Sequence, residues 1–113
     1  MWWLSRLTIM MTSLFLSFTL ASSAYAIDVT MGSGGNLVFE PNEITINAGD
    51  TIKFVNGDLP PHNVMVDGHP ELSHGDLAFA AGDSFEVTFP DTGDYNFQCD
   101  PHAGAGMKGV IHV

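Results

Sequence analysis

Residues 99–107 carry three potential metal ligands in one short segment near the C-terminal end of the chain. Cys99, His102 and Met107 form the pattern C-x-x-H-x-x-x-x-M. Thiolate, imidazole and thioether groups together suit copper in either of its common oxidation states. Because Gly104 and Gly106 permit tight backbone curvature, Met107 can fold back toward the other two donors. The segment therefore predicts one side of a metal site.

A fourth ligand must come from a distant part of the sequence. His62 follows a rigid Pro-Pro turn and opens a predicted strand, so it could lie beside the end of the Cys99 strand. Two histidines, one cysteine and one methionine are the donor set of a blue-copper electron-transfer centre, in which the bond to the thioether is long. The neighbouring Asn63 either ties the His62 segment to the Cys99 loop or is an ordinary turn residue at the start of a strand.

Other interpretations of these donors stay open from the residues alone. Cys99 is the only cysteine, so it is a buried thiol, an intermolecular cross-link or a metal ligand. A catalytic zinc ion is the main competing metal, but Met107 is a poor zinc ligand and the loop has no obvious carboxylate base. The other histidines, His69, His74 and His112, are expected on the solvated surface. No nucleophile elbow, phosphate-binding loop or dinucleotide fingerprint occurs, so an enzyme is not expected.

Composition and charge restrict the size of the protein and its partners. The chain has 113 residues, which suits one domain, and 45% of them are hydrophobic, which is enough for a packed core. Three lysines and arginines stand against 13 acidic residues, giving a formal net charge of -10. Nucleic acid and anionic membrane surfaces are therefore disfavoured as partners, because both require clustered cationic side chains. A cationic protein partner is compatible with this charge.

The first 26 residues have the pattern of a secretory signal. Met1–Arg6 carries one positive charge, Leu7–Leu20 is an apolar run, and small residues follow at Ala24 and Ala26. The apolar run is short for a membrane span, which needs about 20 residues, so an uncleaved anchor is disfavoured. Cleavage after Ala26 would leave an exported domain, Ile27–Val113, that does not insert into the membrane.

The remainder of the chain is predicted to be all-β. Short runs of alternating apolar and polar residues are separated by turns rich in Gly, Asp and Asn, as in a sandwich or barrel. No segment shows sustained helical periodicity, and Asp67–Ala81 is predicted to be a long surface connection, with room for one helical turn. The predicted strands are Ile27–Met31, Leu37–Glu40, Glu43–Asn47, Thr51–Asn56, Asn63–Val66, Phe85–Phe89, Tyr95–Cys99 and Val110–Val113.

The ligand segments resemble the plastocyanin family of the cupredoxins. Residues 99–107, Cys-Asp-Pro-His-Ala-Gly-Ala-Gly-Met, carry the likeness together with residues 61–64, Pro-His-Asn-Val. It extends over nearly all of Ile27–Val113, and Glu71–Phe79 is most similar to marine cyanobacterial forms. The resemblance implies an eight-stranded Greek-key β-sandwich with one copper ion at one pole. The implied copper ligands are His62, Cys99, His102 and Met107.

The same resemblance implies a function and its partners. It implies a soluble, monomeric carrier that cycles between Cu(I) and Cu(II) and takes single electrons from cytochrome f to photosystem I. The implied compartment is the thylakoid lumen, with a bacterial periplasm as the alternative. An exported copper-handling protein with another redox partner is the alternative function. The implied docking patch surrounds His102 and consists of Leu37, Pro61, Gly104 and Ala105.

Two features depart from the family pattern. Gln98 precedes Cys99 where plastocyanins usually carry Tyr, so a Tyr-mediated docking role does not transfer to this chain. The acidic side chains are spread along the sequence, and the chain is short between His62 and Phe85, where plant forms carry part of an acidic patch. A plant-like acidic patch is therefore not expected.

Overall fold

A computed structural model describes residues 25–113. These residues form nine β-strands and two short 3₁₀ segments. The 3₁₀ segments are Pro70–Leu72 and Asp100–Ala105. The strands are β1 (Tyr25–Ser33), β2 (Asn36–Glu40), β3 (Glu43–Thr45), β4 (Thr51–Asn56), β5 (His62–Val66), β6 (His74–Ala78), β7 (Ser84–Thr88), β8 (Asp94–Gln98) and β9 (Lys108–His112).

The strands form two sheets, and the predicted all-β sandwich is confirmed. One sheet has the order β2-β1-β4-β7, and the other has the order β3-β9-β8-β5-β6. The pairs β1–β4 and β3–β9 are parallel, whereas the other pairs are antiparallel. Because β5 and β8 pair antiparallel in one sheet, the start of β5 and the end of β8 lie at the same end of the sandwich.

The core forms because one face of most strands is apolar. In β8, Tyr95 and Phe97 are buried while the residues beside them in the strand are more exposed, as the period of two requires. Three fully buried aromatic rings join the two sheets: Phe39 from β2, Phe54 from β4 and Phe97 from β8. The ring centroids of Phe39 and Phe97 lie 4.7 Å apart in an edge-to-face arrangement, which aromatic pairs favour.

The stretch 67–81 contains more regular structure than its sequence predicts. It includes one helical turn, as allowed for, but also the additional strand β6, so the described residues contain nine strands where eight were expected. The sequence His-Gly-Asp-Leu-Ala of β6 shows no clear alternation, because β6 is an edge strand with mostly exposed side chains. Backbone pairing with β5, in which Ala78 lies opposite His62, forms this strand.

The predicted secretory signal falls almost entirely outside the described residues. Its last two residues, Tyr25 and Ala26, belong to β1, so the predicted cleavage site lies within that strand. Within residues 25–113, no helix is long and apolar enough to cross a membrane.

Candidate metal centre

His62, Cys99 and His102 meet at one end of the sandwich. One ligand atom from each lies within 4.8 Å of the others, and among the described residues this is the one such group of His, Cys and acidic side chains. The Cys99 sulfur is 3.7 Å from Nδ1 of His62 and 3.5 Å from Nδ1 of His102. His62 and Cys99 are fully buried, whereas His102 is partly exposed. The site is therefore closed on the protein side and reaches the surface through His102.

The orientation of His62 is set by a backbone carbonyl group. Nε2 of His62 lies 2.6 Å from the carbonyl oxygen of Asp58, to which it donates a hydrogen bond. This bond places the ring proton on Nε2 and leaves the Nδ1 lone pair facing the Cys99 sulfur. Asp58 is itself held, because its N–H donates to the carbonyl oxygen of Gly32 at 2.8 Å.

The segment after β8 is closed by its own backbone. The N–H of Cys99 donates to the carbonyl oxygen of Met107 at 3.1 Å, and the N–H of His102 donates to that of Cys99 at 3.1 Å. Gly106 lies in the left-handed region at φ 90°, which lets the chain reverse into β9. Met107 is fully buried directly after this turn. The loop thus holds three of the predicted donors on a short, hydrogen-bonded segment.

Burial disfavours the charged forms of two side chains in the site, Cys99 and His102. Burial raises the pKa of the Cys99 thiol, although nearby backbone N–H groups of Asn63 and His102 act in the opposite direction. Burial, followed by the neighbouring His62, lowers the pKa of His102. Two imidazoles and a thiol, whose ionisation a bound cation would favour, form a donor set that fits copper. The site residues therefore suit this ion.

Asn63 joins three elements around the cluster. Its Oδ1 accepts a hydrogen bond from the N–H of Asp100 at 2.9 Å, and its Nδ2 donates to the carbonyl oxygen of Gly75 at 3.2 Å. The side chain is nearly fully buried. Asn63 therefore connects β5 to the loop after Cys99 and to the edge strand β6.

Each residue of the predicted docking patch is at least partly exposed. Leu37 and Pro61 are half-buried, and Gly104 and Ala105 are exposed.

The structure shows exposed apolar side chains and backbone groups that the sequence analysis did not propose as part of the site. Phe79 is 66% exposed and Leu59 is 49% exposed, and Leu59 has a left-handed φ of 57°. Gly32 and Asp58 act through backbone atoms, for which the sequence carries no signal beyond a glycine-rich turn. Phe79 had one weak signal, since it is a bulky apolar residue in a segment predicted to be a surface connection.

The three remaining histidines lie outside the cluster. His69 and His112 pair with exposed carboxylates, and His74 stacks on Phe85 with 3.8 Å between ring centroids. All three are half-buried and not fully solvated. The expected solvated surface position is therefore only partly correct, because each ring makes a specific contact.

Comparison with known proteins also points to copper. The family model described as copper binding proteins of the plastocyanin/azurin family matches residues 25–113. A plastocyanin of Nostoc punctiforme is 43% identical over 97% of this chain and 90% of its own length. A chloroplastic plastocyanin of Hordeum vulgare is 44% identical over 83% of this chain and 66% of its own length.

Solved structures show the same fold. The oxidised form of plastocyanin from Dryopteris crassirhizoma superposes with a TM-score of 0.68 at 32% identity, covering 76% of this chain and 98% of that one. A pseudoazurin from Methylobacterium extorquens superposes with a TM-score of 0.57 at 32% identity, covering 77% of this chain and 73% of that one.

Proposed function

The chain belongs to the plastocyanin/azurin family of copper-binding proteins and is a blue-copper electron carrier, and we propose that His62, Cys99, His102 and Met107 hold its single copper ion. When bound, copper supplies one-electron exchange between Cu(I) and Cu(II). The main support for this ligand set is that two imidazole Nδ1 atoms lie 3.5 and 3.7 Å from the buried Cys99 sulfur.

The protein residues contribute rigidity and the exclusion of water. His62 is oriented by the Asp58 carbonyl, and the Cys99 loop is closed by backbone hydrogen bonds. Burial of Cys99 and Met107 keeps water from the two sulfur atoms. If a rigid donor set moves little between the two oxidation states, the reorganisation energy of electron transfer is small. A small reorganisation energy permits fast electron transfer. These features favour a carrier over an enzyme.

The electron donor proposed for this carrier is cytochrome f, and the acceptor is photosystem I. The name plastocyanin of the relatives supports this proposal, as do two exposed apolar side chains close to His62, Leu59 in the preceding turn and Phe79 next to Ala78. We place the protein in the thylakoid lumen, after cleavage of residues 1–26, because the N-terminal segment has the pattern of an export signal. A periplasmic location remains the alternative. The 13 acidic residues are compatible with cationic partners.

Phe79 extends the proposed docking patch on the side of His62. It follows Ala78, which lies opposite His62 in the pairing of β5 and β6. The buried Nδ2 of Asn56 donates to the carbonyl oxygens of Ala78 and Ala80 at 3.1 and 3.0 Å, so the backbone is fixed on both sides of Phe79. An exposed aromatic side chain on a fixed backbone is a favourable anchor for a transient protein contact, because little backbone entropy is lost when it binds.

The proposed partner is tested by electron-transfer kinetics. The reduced soluble domain of cytochrome f is mixed with the oxidised copper protein, and the second-order rate of haem oxidation is followed by stopped flow. Ala105→Glu places a charge in the proposed patch and should lower this rate at least several-fold. Thr45→Glu adds the same charge on β3 beside His112, at the other end of the sandwich, and should have little effect.

Two results would contradict the partner assignment. Equal rates for the two glutamate variants would mean that the patch around His102 does not contact the cytochrome. Absence of haem oxidation, together with transfer of copper to a copper-free acceptor protein, would instead support the alternative copper-handling function.

A further inference from the structure

We propose that Gly32 is a positioning residue for His62, because the metal site requires a bare backbone at position 32. This inference rests on the proposed function, since it concerns how one of the proposed ligands is oriented. Gly32 lies 30 residues before His62 in sequence, yet its Cα faces the His62 ring. It is buried, and its φ of 82° lies in the left-handed region.

The space that a side chain would need at position 32 is already occupied. A Cβ atom there would overlap the carbonyl oxygen of Asp58 and would lie 2.7 Å from Nε2 of His62 and 2.9 Å from the carbonyl carbon of Asp58. Contacts of this kind under 3.0 Å are essentially absent from real proteins, so something must shift. Two of these three atoms belong to the backbone, which cannot simply swing away as a flexible side chain can.

The atoms that would have to move are those that orient His62. The Asp58 carbonyl oxygen accepts the hydrogen bond from Nε2 of His62 at 2.6 Å. Displacing this oxygen either breaks the bond or rotates the ring. Either change moves Nδ1 of His62 relative to the Cys99 sulfur, which is now 3.7 Å away. A methyl group at position 32 would therefore act on the metal site through Asp58 and His62.

The segment that faces Gly32 also carries a glycine, Gly57, so the two backbones can approach each other closely. Gly57 donates its N–H to the carbonyl oxygen of Met31 at 2.9 Å, and Asp58 donates to that of Gly32 at 2.8 Å. A Cβ atom on Gly57 would overlap the carbonyl oxygen of Gly32. The end of β1 thus supports the segment before His62 through backbone contacts alone.

Gly49 is a control position, because it needs glycine for its backbone conformation but not for space. Its φ of 89° is close to that of Gly32, but a Cβ atom on Gly49 would meet nothing within 4 Å. Alanine at either position incurs the strain of a left-handed backbone. Only alanine at position 32 also crowds Asp58 and His62, so the difference between the two variants isolates the positioning effect.

The experiment compares Gly32→Ala with Gly49→Ala in the full chain. Gly49→Ala should lower Tm by roughly 4–8 °C from backbone strain alone and leave the Cu(II) absorption and electron paramagnetic resonance spectra as in the wild type. Gly32→Ala should lower Tm further and change both spectra. In the copper-free protein, it should also shift or remove the proton resonance of His62 Nε2–H, whereas Gly49→Ala should not.

Several outcomes would overturn the inference or separate it from the proposed function. A wild-type His62 Nε2–H resonance and wild-type copper spectra in Gly32→Ala would overturn it, while the copper site itself would stand. If the wild-type protein forms no blue copper site, the proposed function fails, but the comparison in the copper-free protein still decides the role of Gly32.

A double variant covers the case in which Gly32→Ala does not fold. His62→Ala removes the imidazole, so the Asp58 carbonyl is free to move away from a methyl group at position 32. We expect the Tm loss from Gly32→Ala to shrink in the His62→Ala background, or the double variant to fold where the single one does not. A double variant in which the two losses simply add, or which folds no better than Gly32→Ala, would overturn the inference.

Discussion

Asn63→Ala should weaken the connection between β5 and the Cys99 loop in the copper-free protein. The substitution removes the acceptor of the Asp100 N–H at 2.9 Å and the donor to the Gly75 carbonyl oxygen at 3.2 Å. Leaving a buried polar group without its partner costs about 1–3 kcal/mol. Both bonds are only part-buried, and water can partly replace the lost partners, so each value should fall in the lower half of that range.

The expected total loss in the free energy of unfolding is roughly 2–4 kcal/mol. This is a large fraction of the stability of about 5–15 kcal/mol that is usual for a domain. Urea unfolding followed by circular dichroism measures the loss. The copper-free protein is used because a bound ion would add its own stabilisation to the folded state. The Asp100 amide should also exchange its hydrogen faster in the variant.

The matched control is Asn96→Ala on β8, where the side chain is exposed. A surface substitution of this kind should change the stability by no more than about 0.5 kcal/mol. If Asn63→Ala lost no more stability than Asn96→Ala, the two hydrogen bonds of Asn63 would not hold the Cys99 loop, and the reasoning would be wrong.

Two further predictions concern His112, at the end of the sandwich away from the metal site, and Phe79 in the proposed docking patch. Asp94 and Glu43 raise the pKa of His112, so the folded state binds the His112 proton more tightly than the unfolded state does. The resulting stabilisation of the folded state is fully present below the ordinary histidine pKa of about 6.5. It is lost as the pH rises through the raised pKa of the folded state. Urea midpoints measured across neutral pH should show this loss, and His112→Gln should flatten it; an unchanged profile would contradict the ion pairs. Phe79→Ala should slow oxidation of cytochrome f several-fold with an unchanged copper spectrum, whereas Val38→Ala on β2 should not; equal rates would exclude Phe79 from the contact.

The sequence predicts most of the sandwich, because burial on one face leaves a period of two in the strands. Thr51–Asn56 is found with the predicted bounds, and most other strands are found within about two residues of theirs. The strand β6 was not predicted, because neither of its faces is consistently buried. Its side chains are mostly exposed, so backbone pairing with β5 forms it without an apolar pattern.

The parts of the candidate site that are close in sequence could be predicted more directly than those brought together by the fold. The spacing of Cys99, His102 and Met107 is local, and the chain closes this segment through hydrogen bonds that a short Gly-rich loop permits. His62 could be proposed only from its place at the start of a predicted strand in a sandwich, because no spacing rule joins residues so far apart. Gly32 and Asp58 could not be found from sequence, since they act through a carbonyl group and a missing side chain.

Copper binding followed by absorption spectroscopy tests the central proposal most directly. One equivalent of Cu(II) is added to the protein and to Cys99→Ser, and the visible spectrum is recorded before and after ascorbate. We expect an intense blue band in the wild type that ascorbate removes and an oxidant restores, and no such band in Cys99→Ser. A colourless or pale wild-type protein would contradict the assignment of His62, Cys99, His102 and Met107 as the ligands of a blue-copper electron carrier.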